Sequence, residues 1–181
     1  MGYPTVYPTG VTIYNPAKCY NGYTVFAAGG IGAFLIDMNG AEIRVWEGVL
    51  GFPARVFPGG LLLGSHGERN PAYGFQDNLD LVQWDWDGNI QWKFAGTEYI
   101  EDPGEKPGWQ ARQHHDYQRE GNPVGYYVPG QDPLVDRGNT LILAHKDLRR
   151  PEISDKLLVD DIIVEVDWQG HKVWEWVCSD H

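Results

Sequence analysis

Three tetrapeptides constrain this chain more than anything else in it. Asp37-Met38-Asn39-Gly40, Asp85-Trp86-Asp87-Gly88 and Asp167-Trp168-Gln169-Gly170 share the form Asp-x-x-Gly, and each is followed by a tryptophan. Trp92 and Trp174 come four residues after their glycines and Trp46 comes six after. Offsets of four and six have the same parity, so on a strand the three rings fall on the same face. The glycine supplies the positive φ of a tight hairpin turn, and the aspartate side chain bonds backbone amides inside it.

The repeat extends upstream of each turn. Gly22-Tyr23-Thr24-Val25-Phe26-Ala27-Ala28-Gly29 lines up with Gly60-Leu61-Leu62-Leu63-Gly64-Ser65-His66 and with Gly138-Asn139-Thr140-Leu141-Ile142-Leu143-Ala144-His145. Before each lies another short β run: Val11–Tyr14, Ala54–Phe57 and His115–Gln118. Apolar and polar residues alternate, and nothing in the best-defined stretch, Gln113 to Trp176, has helical spacing. The unit is four antiparallel strands in about 40–50 residues, the period of propeller blades. The expected fold class is therefore an all-β β-propeller, with blades at about residues 10–48, 50–95 and 112–178. The tryptophan on each outer strand is expected to fill the gap where neighbouring sheets fan apart. The repeated aspartates, Asp37, Asp85 and Asp167, read as turn residues and not as site carboxylates.

Composition supports this class. With 42% hydrophobic residues, eight Trp, ten Tyr, 23 Gly and 12 Pro in 181 residues, the chain can bury a core and make many tight turns. A net charge of −11 opposes binding to a polyphosphate backbone, so no nucleic-acid partner is expected. No apolar run approaches the roughly 20 residues that span a bilayer, so no membrane partner is expected. The start, Met1-Gly2-Tyr3-Pro4, lacks the pattern of a signal peptide, although a processed precursor would look the same; the expectation is a cytoplasmic chain. Cys19 and Cys178 show no metal or disulfide spacing and read as buried thiols. Three loops interrupt the repeat, His66–Asn78, Gly96–Gln110 and Gly121–Arg137, and the aromatic and Pro content of the last favours an ordered lid or rim.

A propeller closes with about four to eight blades. Three would leave two apolar flanks in water, so a second polypeptide is expected to complete the ring. That partner is a cleaved second half, a separate subunit or a second copy.

The pattern His114-His115-Asp116-Tyr117-Gln118, then Gly138–His145, then Ile163-Val164-Glu165-Val166-Asp167 through Gly170 to Val173-Trp174-Glu175-Trp176, resembles the arylsulfotransferase family of β-propellers. Tyr7–Thr12 and Gly22–Phe26 are similar to its opening blade. The likeness covers about the first half of a family member, and the His-His-Asp stretch is its distinctive part. It implies three of six blades, with histidines and an arginine around one channel mouth. It also implies transfer of a sulfuryl group from a phenolic sulfate to a phenol through a transiently sulfated histidine. That nucleophile lies late in family members, so the resemblance does not place it here. Such a transfer requires no cofactor. A neutral imidazole is a competent nucleophile near pH 7, and cationic donors stabilise charge spreading over the sulfuryl oxygens.

The candidate catalytic residues are His114, His115, His145 and Asp116, and the candidate substrate-binding residues are Arg112, His66, Lys146 and Arg69. Strand alternation lets only one of His114 and His115 face the channel. Asp116 either orients an imidazole or caps a turn. His66 and His145 end equivalent strands, which would put them on one side of the ring. Arg112 and Lys146 adjoin histidines and can bind an anion. Two other functions remain open. Histidines from separate blades are good ligands for a divalent ion in a metal-dependent lyase, hydrolase or oxygenase. A non-catalytic propeller would use its rim to hold a partner. The substrate expected for the enzyme is small and aromatic.

Overall fold

The computed structural model describes residues 11–50, 53–121 and 134–181. Parts of two sequence expectations lie outside these residues: the start of the Tyr7–Thr12 stretch and the tyrosine-bearing part of the Gly121–Arg137 loop. The protein is all-β: thirteen strands in antiparallel sheets, with a single 3-10 turn at Cys178–Asp180 among the described residues. Among the described residues, no helix is long and apolar enough to cross a membrane.

The strands form meanders. Strands β1 (Thr24–Ala28), β2 (Gly32–Ile36) and β3 (Glu42–Glu47) make a three-stranded sheet in sequential order. Strands β4 (Arg55–Phe57), β5 (Leu61–Glu68), β6 (Asn78–Trp84) and β7 (Ile90–Phe94) make a second meander. A hairpin follows, β8 (Glu98–Ile100) and β9 (Gly108–Gln110), inside the stretch read as a plain connection. Strands β10 (Gln113–Arg119), β11 (Thr140–Leu148), β12 (Leu158–Val166) and β13 (Lys172–Val177) make the third. The second and third meanders join through one pair, Gln113 with Asn78, which links them into an eight-stranded sheet. The strand expected at Val11–Tyr14 is absent; these residues have no regular structure and Ile13 is exposed. With no apolar layer over it, that segment has nothing to offset the entropy of ordering.

The three turns form as the repeat dictates. Asp37 Oδ1 accepts the Asn39 and Ala41 amides at 2.8 Å, and Asp85 Oδ1 accepts those of Asp87 and Asn89. Asp167 Oδ1 accepts the His171 amide at 2.8 Å. The glycines sit at φ +78°, +91° and +82°. These amide bonds favour the charged carboxylate and hold all three aspartates below the usual range, the Ala41 amide leading at Asp37, Asn89 at Asp85 and His171 at Asp167.

The meanders stack face against face. Ala33, Leu35 and Trp46 of the first pack on Leu62, Val82 and Trp84 of the second. Leu63, Leu81, Trp92 and Phe94 of the second pack on Ile142, Ala144, Ile162 and Val164 of the third. Trp46 and Trp92 are buried, each ring stabilising its junction by on the order of 2–3 kcal/mol. Beside the stacked Trp92 and Trp168 lies Arg119, its guanidinium 4.7 and 4.8 Å from the two ring centres. Burial pushes that guanidinium down to about 10. Trp174 differs from its two counterparts and is exposed. The thiols also differ from expectation: Cys19 and Cys178 are both exposed. Cys19 lies in the irregular segment before β1, and Cys178 begins the 3-10 turn that follows β13, where no neighbouring sheet covers it.

Candidate functional site

The site sits where β10 begins. Arg112 and His115 have φ +48° and +55°, left-handed values that cost non-glycine residues of order 1–3 kcal/mol each. The ladder between β10 and β11 slips between Gln113 and Tyr117 over the same residues. This bulge re-aims side chains. Regular alternation would send His114 and His115 to opposite faces. Here His114 is buried and His115 exposed, yet their Nδ1 atoms meet at 2.9 Å with the rings edge to face. Beneath them, Gln113 is fixed by Ser65 and by the Asn78 amide, which donates to its carbonyl at 2.7 Å.

His145, on β11, stacks on His114 with ring centres 3.9 Å apart. Its Nδ1 lies 2.5 Å from Asp77 Oδ1, so Nδ1 carries the proton it donates, and in the neutral ring the lone pair is then on Nε2. Both Nε2 atoms turn toward Asp161 Oδ1, at 3.3 Å from His114 and 3.4 Å from His145. Asp161, on β12 opposite His145, is more than half exposed and marks the open side. His114 Nε2 is buried and, at that distance, makes no hydrogen bond of good geometry. Burial first, then the neighbouring imidazoles, pull His114 down to about 4 against the pull of Asp161 and Asp77, so its ring is neutral at neutral pH. Ligand atoms of His114, His145 and Asp161 lie within 4.8 Å of one another, close enough to share one cation.

Asp77 anchors the inner layer. It is completely buried, and its Oδ2 accepts Arg112 Nε at 2.8 Å and Arg69 Nη1 at 3.0 Å. Burial alone would raise its pKa; the bonds from His145, Arg112 and Arg69 overcome that and hold it ionised below the usual range. Arg69 grips both oxygens of Asp102 at 2.7 and 2.8 Å. Arg112 reaches Glu98 and, at 2.8 Å, Asp147. Burial disfavours its charge, but Asp77, Asp147 and Glu98 together raise its pKa.

The residues singled out in the sequence separate into five places. His114, His115 and His145 come together. Arg112 and Arg69 lie directly behind them, buried in ion pairs. Asp116 points away: it pairs with Arg55 at 2.5 Å and accepts the Tyr117 amide at 2.7 Å, so Asp77 is the carboxylate that orients an imidazole. Lys146 pairs with Glu175 on β13 at 3.0 Å. His66 stands apart, 3.4 Å from Asp80 and edge-on to Trp84. Its partner Asp80 lies eight residues before Gly88; Ile162, eight before Gly170, pairs with Ala144. His66 therefore matches Ala144, and the one-residue offset from His145 turns it to the other face. Asp77 and Asp161 had no signal in the repeat. Asp77 lies in the loop before β6, and nothing local distinguishes it from a surface aspartate.

The surroundings are acidic: Asp77, Glu98, Asp102, Asp147 and Asp161 stand against two guanidiniums. A groove of about 330 Å³ lies at the far ends of β10 and β11, lined by Arg119, Glu120, Asn139 and Glu165, and does not include the histidines. The chain matches no known family model, no curated protein and no solved structure. The resemblance to arylsulfotransferases rests on the motif residues alone.

Proposed function

We propose that the chain supplies three blades of a six-bladed β-propeller, and that the His114–His115–His145 cluster is the site of an arylsulfotransferase-like enzyme. Its substrate is a small phenolic sulfate. The observation that carries this reading is convergence. The stretches bearing the resemblance, 114–118, 138–145 and 163–176, occupy adjacent strands, and their histidines meet around one oriented imidazole. The stacking of repeated meanders supports the propeller, with β4 and β10 as the inner strands that line the channel.

His145 is the imidazole in this chain fitted for the chemistry. Asp77 holds its Nδ1–H and stabilises the cation formed when Nε2 reacts. The Nε2 lone pair attacks the sulfur, the bond from sulfur to the phenolic oxygen breaks, and the phenolate leaves. The released phenolate takes the proton of a second phenol, whose oxygen attacks the same sulfur, and the nitrogen–sulfur bond breaks to restore the neutral ring. The guanidiniums of Arg69 and Arg112 are committed to carboxylates, so in this chain the sulfuryl oxygens would face imidazoles.

A second reading has its own observation. Two imidazoles and a carboxylate within 4.8 Å, ringed by surplus negative charge, suit a divalent cation. Asp77 would be the outer carboxylate that orients His145. The ion would polarise a substrate oxygen in a metal-dependent lyase, hydrolase or oxygenase.

One assay separates the readings. The protein is given 4-nitrophenyl sulfate and phenol, with chelator or with added zinc, and nitrophenol release is followed. Transfer predicts release in chelator, a trapped SO3 adduct on a histidine by mass spectrometry, and loss of both in His145→Ala. Release that depends on zinc and yields no adduct supports the metal. Absence of release under both conditions removes the transferase.

A further inference from the structure

We propose that the outward face of the third meander is an interaction surface for the first meander of a second copy of this chain. The inference rests on the repeat reading of the fold and is independent of the sulfuryl-transfer chemistry.

Two junctions inside the molecule show how one meander docks on the next. Trp46 of the first donates Nε1–H to the Asp85 carbonyl at 3.0 Å and lies edge-on to Trp86, ring centres 5.7 Å apart. Trp92 of the second donates to the Trp168 carbonyl at 2.8 Å and stacks on that ring at 5.9 Å. In both, the outer-strand tryptophan seats on the second residue of the next Asp-x-x-Gly turn. Its indole proton goes to a carbonyl of that turn. An indole N–H buried at a junction needs such an acceptor, so this contact sets register as well as adding area.

Trp174 holds the same place in the third meander, four residues beyond Gly170 as Trp92 is beyond Gly88. It is 47% exposed, against 2% and 6% for Trp46 and Trp92. Beside it, Leu141, Leu143 and Ile163 line an apolar groove of about 270 Å³. Counted back from their glycines, Ile163 matches Leu81, and Leu141 matches Leu63 because their strand partners, Glu165 and Gln83, each lie five before the glycine; both counterparts are fully buried between the second and third meanders. The same surface that forms one junction is left uncovered here.

The matching half of the junction is at the other end of the chain. The outward face of the first meander carries Phe26 stacked on Phe34 at 5.6 Å, with Val45 paired beside them. Its turn, Asp37-Met38-Asn39-Gly40, places Met38 where the other two place Trp86 and Trp168. A thioether against an indole is a favourable contact. One chain thus carries both surfaces of the contact it makes twice internally, which identifies a second copy as the occupant. Two copies give six meanders, within the range that closes a ring, with two identical junctions about a two-fold axis.

The test is the mass and cross-linking of the purified chain. Light scattering is expected to give twice 20.4 kDa, falling to one chain in Trp174→Ala and in Met38→Glu. Both positions are on the surface of the single chain, and an unchanged β circular-dichroism spectrum confirms that each variant folds. With Cys19→Ser and Cys178→Ser, a short bifunctional maleimide should join Lys172→Cys to Asn39→Cys between copies, both exposed beside the contact and leaving Trp174 and Met38 in place, just as Arg44, two residues before Trp46, lies against the Gly88 turn inside the molecule. A native chain of single mass, a dimer indifferent to both variants, or absence of that cross-link would overturn the interface. A folded monomer would leave the blade reading and the transferase reading intact. Long open assemblies carrying the 172–39 cross-link would keep this contact and remove ring closure instead.

Discussion

Replacing Asp77 with asparagine removes one negative charge and almost no volume from the centre of the histidine site. The carboxylate accepts three bonds, from His145 Nδ1 at 2.5 Å, Arg112 Nε at 2.8 Å and Arg69 Nη1 at 3.0 Å, and it is completely buried. Losing one partner of a buried ion pair costs about 3–5 kcal/mol, chiefly because the other charge is left stranded. Neither guanidinium is stranded here: Arg69 keeps both oxygens of Asp102, and Arg112 keeps Glu98 and Asp147. The expected loss is therefore at the low end, ~3 kcal/mol. The amide brings a second effect. All three of its neighbours are donors, so its own NH2 must oppose one of them. The neutral imidazole alone can adjust, by moving its proton to Nε2 and accepting at Nδ1. That consumes the lone pair that either proposed chemistry needs. Urea unfolding measures the first effect, and long-range proton–nitrogen NMR of the imidazole measures the second. A loss below about 1 kcal/mol, with the proton still on Nδ1, would refute the role given to Asp77.

Stability should fall as the pH drops from 6.5 to about 4, because the buried His114 stays neutral while its unfolded counterpart takes a proton. The change approaches ~3 kcal/mol and levels off below the folded value; it should vanish in His114→Gln, and urea midpoints across that range that are flat in the native chain would contradict it. Gly170→Ala should cost about 1–2 kcal/mol, since φ is +82° and the nearest atom to the added carbon is 3.7 Å away, so the penalty is backbone strain and not a clash; an unchanged melting temperature would show the turn tolerates relaxation.

The Asp-x-x-Gly turns, the meanders they close and the all-β class were legible because each is written in a few adjacent residues. The bonds from Asp85 to Asp87 and Asn89 span four positions, and no distant contact is needed to form them. Position in the repeat likewise marked the tryptophans, and Trp46 and Trp92 went where the pattern sent them. The missing strand at Val11–Tyr14 shows the limit of that reading, since a β-prone run orders only when another surface covers it. The site itself belonged to tertiary structure. Asp77 reaches His145 across 68 positions and Arg69 reaches Asp102 across 33, and residue type alone does not reveal which carboxylate a buried cation will meet. The bulge at His115 suspended the alternation that would have parted it from His114, and a single-residue offset sent His66 away from His145. A strand's side chains change face with every residue, so local pattern determined the strands while packing decided which histidines met.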